Sequence, residues 1–190
     1  MNNNLNIFFR RNLLKLFLIF PLFFPYYPSQ SNSVEAALEF QWDGNKNYKK
    51  LNWFQKTSKK RAKNKIFFFF KPSDRKTGLL RINMKLPDNY KREIKPKKIT
   101  LCRVNIGGFN SRTKCLENIP ADVEINKENN KIDIYPLKPI PSNKESYAVV
   151  FNLINPQRSG LYQFHSFGTS SGKIPVSSYL GSWTIRIDQQ

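Results

Sequence analysis

The chain is short of acids, histidine and cysteine, and each shortage removes a class of function. Only 13 Asp and Glu stand against 32 Lys and Arg in 190 residues, a formal net charge of +19. Calcium cages need clustered carboxylates, and the sequence clusters none. A carboxylate pair for glycosidic cleavage would have to be drawn from scattered residues such as Glu117, Asp122, Glu124 and Asp133. One histidine, His165, and two cysteines, Cys102 and Cys115, are too few for a Cys/His metal site. No metal and no cofactor is expected. Gly107-Gly108 lacks the further glycines and the lysine of a phosphate loop, so it reads as a turn.

A single imidazole leaves one catalytic alternative. His165 has Ser166, Ser170 and Ser171 beside it in sequence, and Asp133 or Asp188 is available to orient it. That inventory would suit a hydrolase, but no nucleophile-elbow motif accompanies it. His165 also sits in a strand pattern between Phe164 and Phe167, where a packed or surface histidine is the commoner occupant. The sequence therefore predicts a protein that is not an enzyme, with a hydrolase using His165 as the alternative.

The N-terminus reads as an address. Arg10, Arg11 and Lys15 precede an apolar run over 16–24, and no acid occurs before Glu35. Nine apolar residues are too few to span a bilayer, which takes about 20. A polar stretch and Val34-Glu35-Ala36 follow, with small residues suited to a signal peptidase. The expected signal peptide is 1–36 and the mature domain 37–190, with a net charge of +17 once three bases and one acid are lost. An exported destination, periplasm or cell envelope first and thylakoid lumen or medium next, makes one Cys102–Cys115 disulfide the expected state of the two thiols. The pair brackets Gly107-Gly108, so the bridge should close a hairpin.

What is abundant is the alternation of strands. Residues 37–42 alternate Leu38, Phe40 and Trp42; 66–70 and 147–154 are apolar on both faces, as central strands are. Leu80, Ile82, Met84 and Leu86 form one apolar face opposite Leu79, Arg81, Asn83 and Lys85. The apolar phase of 99–106 shifts at Cys102, which suggests a bulge. Val123/Ile125 and Ile132/Ile134 flank a five-residue loop over 126–130, a hairpin. Asn155-Pro156 stops one strand, and the closing strand sets Trp183, Ile185 and Ile187 against Thr184, Arg186 and Asp188. About nine strands and no long helix predict an all-β fold, an antiparallel β-sandwich of immunoglobulin-like size.

One segment departs from this pattern. Over 46–65, nine of twenty residues are basic and none is acidic. Tyr48, Leu51 and Phe54 recur at a spacing that would suit one or two helical turns. Lys46, Lys49, Lys50, Lys59, Lys60, Arg61 and Lys63, with Tyr48 and Trp53, are the candidate anion-binding residues of this basic connection over 45–65. Anionic lipid or acidic polysaccharide are the partners they would suit, and an envelope protein is the third option. Export excludes intracellular nucleic acid. Two plainer readings compete. The aromatics would dock on the sheet while the lysines face water, or the excess of Lys would reflect AT-rich coding, since Lys, Asn, Ile and Phe make 75 of the 190 residues. A second basic cluster, KREIKPKK over 91–98, reads as an exposed connection in which Pro96 opposes a helix.

NPQRSGLYQFHSFG, SGKIPVSSYLGSWTI, PSDRKTGLL and IPSNKESYAVVF together resemble the cyanobacterial proteins catalogued as domain of unknown function 2808. The resemblance covers about 38–188. Its most specific signals are Asn155-Pro156, Gly160 with Tyr162, and Tyr179-Leu180-Gly181. It implies an exported β-rich protein and supplies no activity, ligand or catalytic residue.

Overall fold

The computed structural model describes residues 48–172 and 174–189. The expected signal peptide over 1–36, its cleavage site, the strand expected at 37–42 and Lys46 lie outside the described residues. Ten strands follow one another: β1 (Trp53–Gln55), β2 (Lys63–Phe70), β3 (Leu79–Lys85), β4 (Ile99–Asn105), β5 (Lys114–Ile119), β6 (Ala121–Asn126), β7 (Lys131–Pro136), β8 (Tyr147–Ile154), β9 (Gly160–Ser170) and β10 (Ser177–Ile187). They form two five-stranded antiparallel sheets, β1-β2-β8-β4-β5 and β10-β9-β3-β7-β6. The expected β-sandwich is the observed architecture, with ten described strands where about nine were expected. Among the described residues, the only helical pieces are two short 3-10 turns, Pro72–Asp74 and Pro96–Lys98. Pro96 opens the second of these, the position where its missing N–H costs nothing.

The two doubly apolar runs lie where their composition demands. β2 and β8 pair with each other inside the first sheet, from Lys63↔Ile154 to Phe70↔Tyr147. Phe68 sits at the centre between the sheets, with ring centroids 5.0 Å from Phe164, 5.0 Å from Trp183 and 5.1 Å from Phe151. All four side chains are fully buried. Each such burial stabilises by roughly 1.5–3 kcal/mol, and each ring pair adds about 0.5–1.5 kcal/mol. The indole N–H of Trp183 donates to the Phe69 carbonyl at 3.3 Å, which satisfies the one polar atom brought inside with it.

The alternate residues of the same strands form a smaller cluster on the opposite face: Phe67, Phe69, Ala148 and Val150 with Cys102 and Val104. This accounts for the phase shift seen in β4. Ile99 and Leu101 face the main core while Cys102 and Val104 face the second cluster. A bulge is also present, between Arg103 and Val104 in the β4–β5 ladder, and its extra residue, Leu116, lies on β5. Cys102 and Cys115 are disulfide-bonded across that hairpin with Cα atoms 5.7 Å apart, as expected. Closing a loop of 13 residues in the unfolded chain is worth about 3 kcal/mol in the chain-entropy account.

Two local expectations are corrected. In β3 Leu79 is buried and Leu80 is 36% exposed, the reverse of the expected phase at that end. The register with β9 shifts between Leu79 and Arg81, and this irregularity turns Leu80 outward while Ile82 and Met84 stay in the core. Of the basic segment, the described residues 48–65 form strand and loop and no helix. They contribute β1, pairing Trp53↔Phe68 to Gln55↔Ile66, and the last of them open β2.

Candidate functional site

The basic segment is fastened to the second sheet by its backbone. Leu51 N–H donates to the Ser182 carbonyl at 2.8 Å and Ser182 N–H donates to the Lys49 carbonyl at 2.7 Å, a parallel bridge centred on Lys50. Gly181 permits this approach: its φ is +140°, and a Cβ there would lie 2.6 Å from Leu51 Cγ. Lower down, Lys59 bridges to Asp188 and Ser58 donates its hydroxyl to the Asp188 carboxylate. Bridging to β10 at Lys50 and pairing with β2 at 53–55 override the helical spacing, and of Tyr48, Leu51 and Phe54 it is Leu51 that docks in the core.

The candidate anion-binding residues do not act as one set. Trp53 is half-buried and packs against the main core, so its face is not offered for stacking. The Tyr48 hydroxyl shares a hydrogen bond with Thr184 Oγ1 at 3.2 Å. Lys49 Nζ lies 3.5 Å from the Asp74 carboxylate and donates to the Asp74 carbonyl at 3.3 Å. Lys50 is exposed beside its bridge to Ser182. Lys59, Arg61 and Lys63 are exposed and Lys60 is half-buried, all in or beside the loop 56–62 that joins β1 to β2.

That loop is held by two buried asparagines. Asn64 Nδ2 donates to Asn155 Oδ1 at 2.9 Å, and Asn155 Nδ2 donates to the carbonyls of Thr57 at 3.1 Å and Lys59 at 2.8 Å. The other side of Asn64 accepts from the backbone N–H groups of Lys56 and Thr57. Short polar side chains able to donate and accept at once are needed to satisfy a loop folded onto the interior.

Antiparallel topology brings three further connections to the same end of the sandwich: 86–98 before β4, 127–130 between β6 and β7, and 155–159 before β9. The four connections together carry eleven Lys and Arg against three acids, Asp88, Glu93 and Glu128. Glu93 lies 3.7 Å from Lys127, so one of these acids is already engaged. Lys91, Arg92 and Arg158 converge around a cleft of about 400 Å³. None of the three has a carboxylate within ion-pairing distance among the described residues. The loop carrying Arg158 is fixed by Tyr162, whose hydroxyl donates to the Arg158 carbonyl at 2.8 Å. Sequence reasoning singled out 91–98 but took it for an exposed connection, and gave Arg158 no role. The signal that would have found them is topological: β3, β6 and β8 all end on the same side.

His165 lies elsewhere, on the outer face of the second sheet. Its Nδ1 is 2.7 Å from Ser182 Oγ, and Ser182 in turn is 2.6 Å from the Tyr179 hydroxyl. The expected serines are not its partners. Ser166 is fully buried with its hydroxyl unpartnered, and Ser170 receives the Val176 N–H. Neither expected acid stands behind the imidazole: Asp133 binds Arg81 at 2.6 Å and Asn83 at 2.6 Å, and Asp188 binds Arg186 at 2.8 Å. Partial burial, with Lys85 nearby, holds the imidazole below its ordinary pKa and therefore neutral at pH 7. No group of three or more His, Cys, Asp or Glu among the described residues could hold a metal ion.

A family model described as "Protein of unknown function (DUF2808)" matches residues 40–187. No curated protein matches the sequence. Among solved structures, the bacterial hydrophobin BslA is similar at a TM-score of 0.46 and 14% identity, over 75% of this chain and 97% of that one. A collagen-binding domain from a Staphylococcus aureus adhesin gives 0.39 and 13%, over 72% of this chain and 97% of that one. The collagen-binding subdomain ACE19 of the Enterococcus faecalis surface protein ACE gives 0.41 and 8%, over 75% and 99%. All three scores lie below 0.5 and say nothing of what this chain contacts.

Proposed function

The chain belongs to the DUF2808 family of proteins of unknown function, and from that premise we propose an exported, non-enzymatic module of the cell envelope that binds an anionic partner. The observation that carries this reading is the convergence of two basic clusters, 56–63 and 91–98, on one end of the sandwich, with Arg158 between them. Positive charge spread along a sequence needs no partner. Positive charge gathered from four connections, with few acids among them, builds a local field that favours an anion.

The disulfide supports a location outside the reducing cytoplasm. The signal-peptide reading of 1–36 supports export, to periplasm or cell envelope. Against hydrolysis stands the state of the His165 site: its serine is fully buried and no carboxylate orients the ring among the described residues. Binding is tested by sedimenting the full chain with anionic vesicles and with an acidic polysaccharide, at low and at high salt. Capture by either that fades as salt rises fits the proposal, because screening weakens exposed charge pairs. No capture at low salt, or capture indifferent to salt, removes it.

A further inference from the structure

The cleft between Lys91, Arg92 and Arg158 does not stand alone. A second hollow of about 490 Å³ shares Lys91 and Arg92 with it, and a third of about 520 Å³ shares Glu93, Ile94, Ile125 and Lys127 with the second. The three run continuously beside the connection 86–98 and form a trench along one end of the sandwich. It is lined by the cations Lys91, Arg92, Arg158 and Lys131, and by Lys127, which faces the one acid of the trench, Glu93, at 3.7 Å. Apolar side chains that keep some exposure, Leu86, Ile125 and Pro96, line it as well. Its amide side chains are Asn89 and Gln157, together with Asn126, which accepts from the Asn129 N–H, and Asn130, which donates to Asp88.

We propose that this trench binds a linear acidic polysaccharide. The inference rests on the anionic-partner reading above and names its class. A pyranose chain needs three things at once: apolar surface for its ring faces, amides for its hydroxyls and cations for its carboxylates. The trench offers all three along one connection. A bilayer surface is too flat and wide to enter a cleft between loops, so cations lining a concave wall serve it poorly. Single-stranded nucleic acid enters clefts but relies on exposed aromatic faces for its bases. The two tyrosines here, Tyr90 and Tyr162, are 7% and 2% exposed and spend their rings on each other at 5.6 Å.

The full chain is titrated with polygalacturonate, with neutral dextran and with phosphatidylglycerol vesicles at low salt. Two triple variants each remove three exposed cations: Lys91→Gln/Arg92→Gln/Arg158→Gln in the trench and Lys56→Gln/Lys59→Gln/Lys63→Gln on the neighbouring loop and strand. Both sets lie at exposed positions, so both variants keep the wild-type Tm. The trench triple is expected to lose at least tenfold in affinity for polygalacturonate, the other about threefold, and dextran does not bind. Equal losses in the two triples overturn the trench and leave the anionic-partner reading standing. So does binding to vesicles without binding to polygalacturonate. Failure to bind either anionic probe overturns both.

Discussion

Asn64 and Asn155 meet side chain to side chain at 2.9 Å in the interior, ninety-one residues apart in sequence. Between them they satisfy five hydrogen bonds that would otherwise be left open where the basic loop 56–62 folds against the end of β8. The asparagine-proline signal in the sequence therefore has a physical meaning. Asn155 is 0% exposed, and it sets the position of Lys59, Lys60 and Arg61 without touching any ligand.

Replacing Asn155 by Ala leaves the Thr57 carbonyl and the Asn64 amide without partners, and the Lys59 carbonyl with only the 3.4 Å bond from the Ala62 N–H. The expected cost is about 2–4 kcal/mol in unfolding free energy, since each orphaned buried group costs roughly 1–3 kcal/mol. Hydrogen exchange should quicken first in 56–62. A loss below about 0.5 kcal/mol, with exchange unchanged there, contradicts this role.

Gly181→Ala should be nearly as costly. The new methyl group meets Leu51 Cγ at 2.6 Å and the Lys49 carbonyl at 2.7 Å, at a φ of +140° that L residues rarely adopt. Such backbone strain alone costs about 1–3 kcal/mol. The visible consequence is release of 48–51 from β10, read as faster exchange at the Leu51 and Ser182 amides.

Arg75 is 4% exposed and holds the connection 137–146. Its guanidinium lies 4.7 Å over the Tyr147 ring and donates to the carbonyls of Pro141 and Glu145. Burial lowers its pKa, yet it stays charged at any pH where the protein folds. Arg75→Ala is expected to lower stability by about 2–3 kcal/mol through the two abandoned carbonyls and the lost ring contact. Arg75→Lys should recover only part of this, because one ammonium cannot reproduce the forked donation. Chemical denaturation of the three proteins side by side is the check.

His165 gives stability a pH dependence with a definite sign. The folded chain binds its proton less readily than the unfolded chain does, because burial and Lys85 lower its pKa. Unfolding then takes up a proton below about pH 6.5, so stability is full above that value and falls as pH drops towards the folded value. The denaturation midpoint of the wild type should decrease between pH 7.5 and 5.5 by more than that of His165→Gln. Equal decreases would show that the histidine does not contribute.

Much of the fold was legible because its signals are local. The runs in β2 and β8 announced central strands, and Trp183, Ile185 and Ile187 announced the inner face of β10. The loop 126–130 announced its hairpin, and the two cysteines bracketing Gly107-Gly108 announced the bridge. What escaped depends on contacts between distant segments. The spacing of Tyr48, Leu51 and Phe54 suits a helix until β10 supplies a bridge and β2 a strand to pair with. The irregularity that turns Leu80 outward is set by β9, about ninety residues on. The basic cleft was hidden for the same reason, since Lys91, Arg92 and Arg158 share a wall only after β9 has paired with β3 and β8 with β4. Of the residues chosen from sequence, Lys59, Lys60, Arg61 and Lys63 stand at the basic end, while Tyr48, Lys49 and Trp53 serve the packing of the segment itself.

The central claim is that one end of this sandwich, built from 56–62, 86–98, 127–130 and 155–159, receives an anionic partner. Its most direct test is hydrogen exchange of the full chain alone, with polygalacturonate and with phosphatidylglycerol vesicles. Protection confined to those four connections is the predicted result. Protection at the opposite end, around 106–113 and 174–176, or no protection by either probe at saturation, would contradict it.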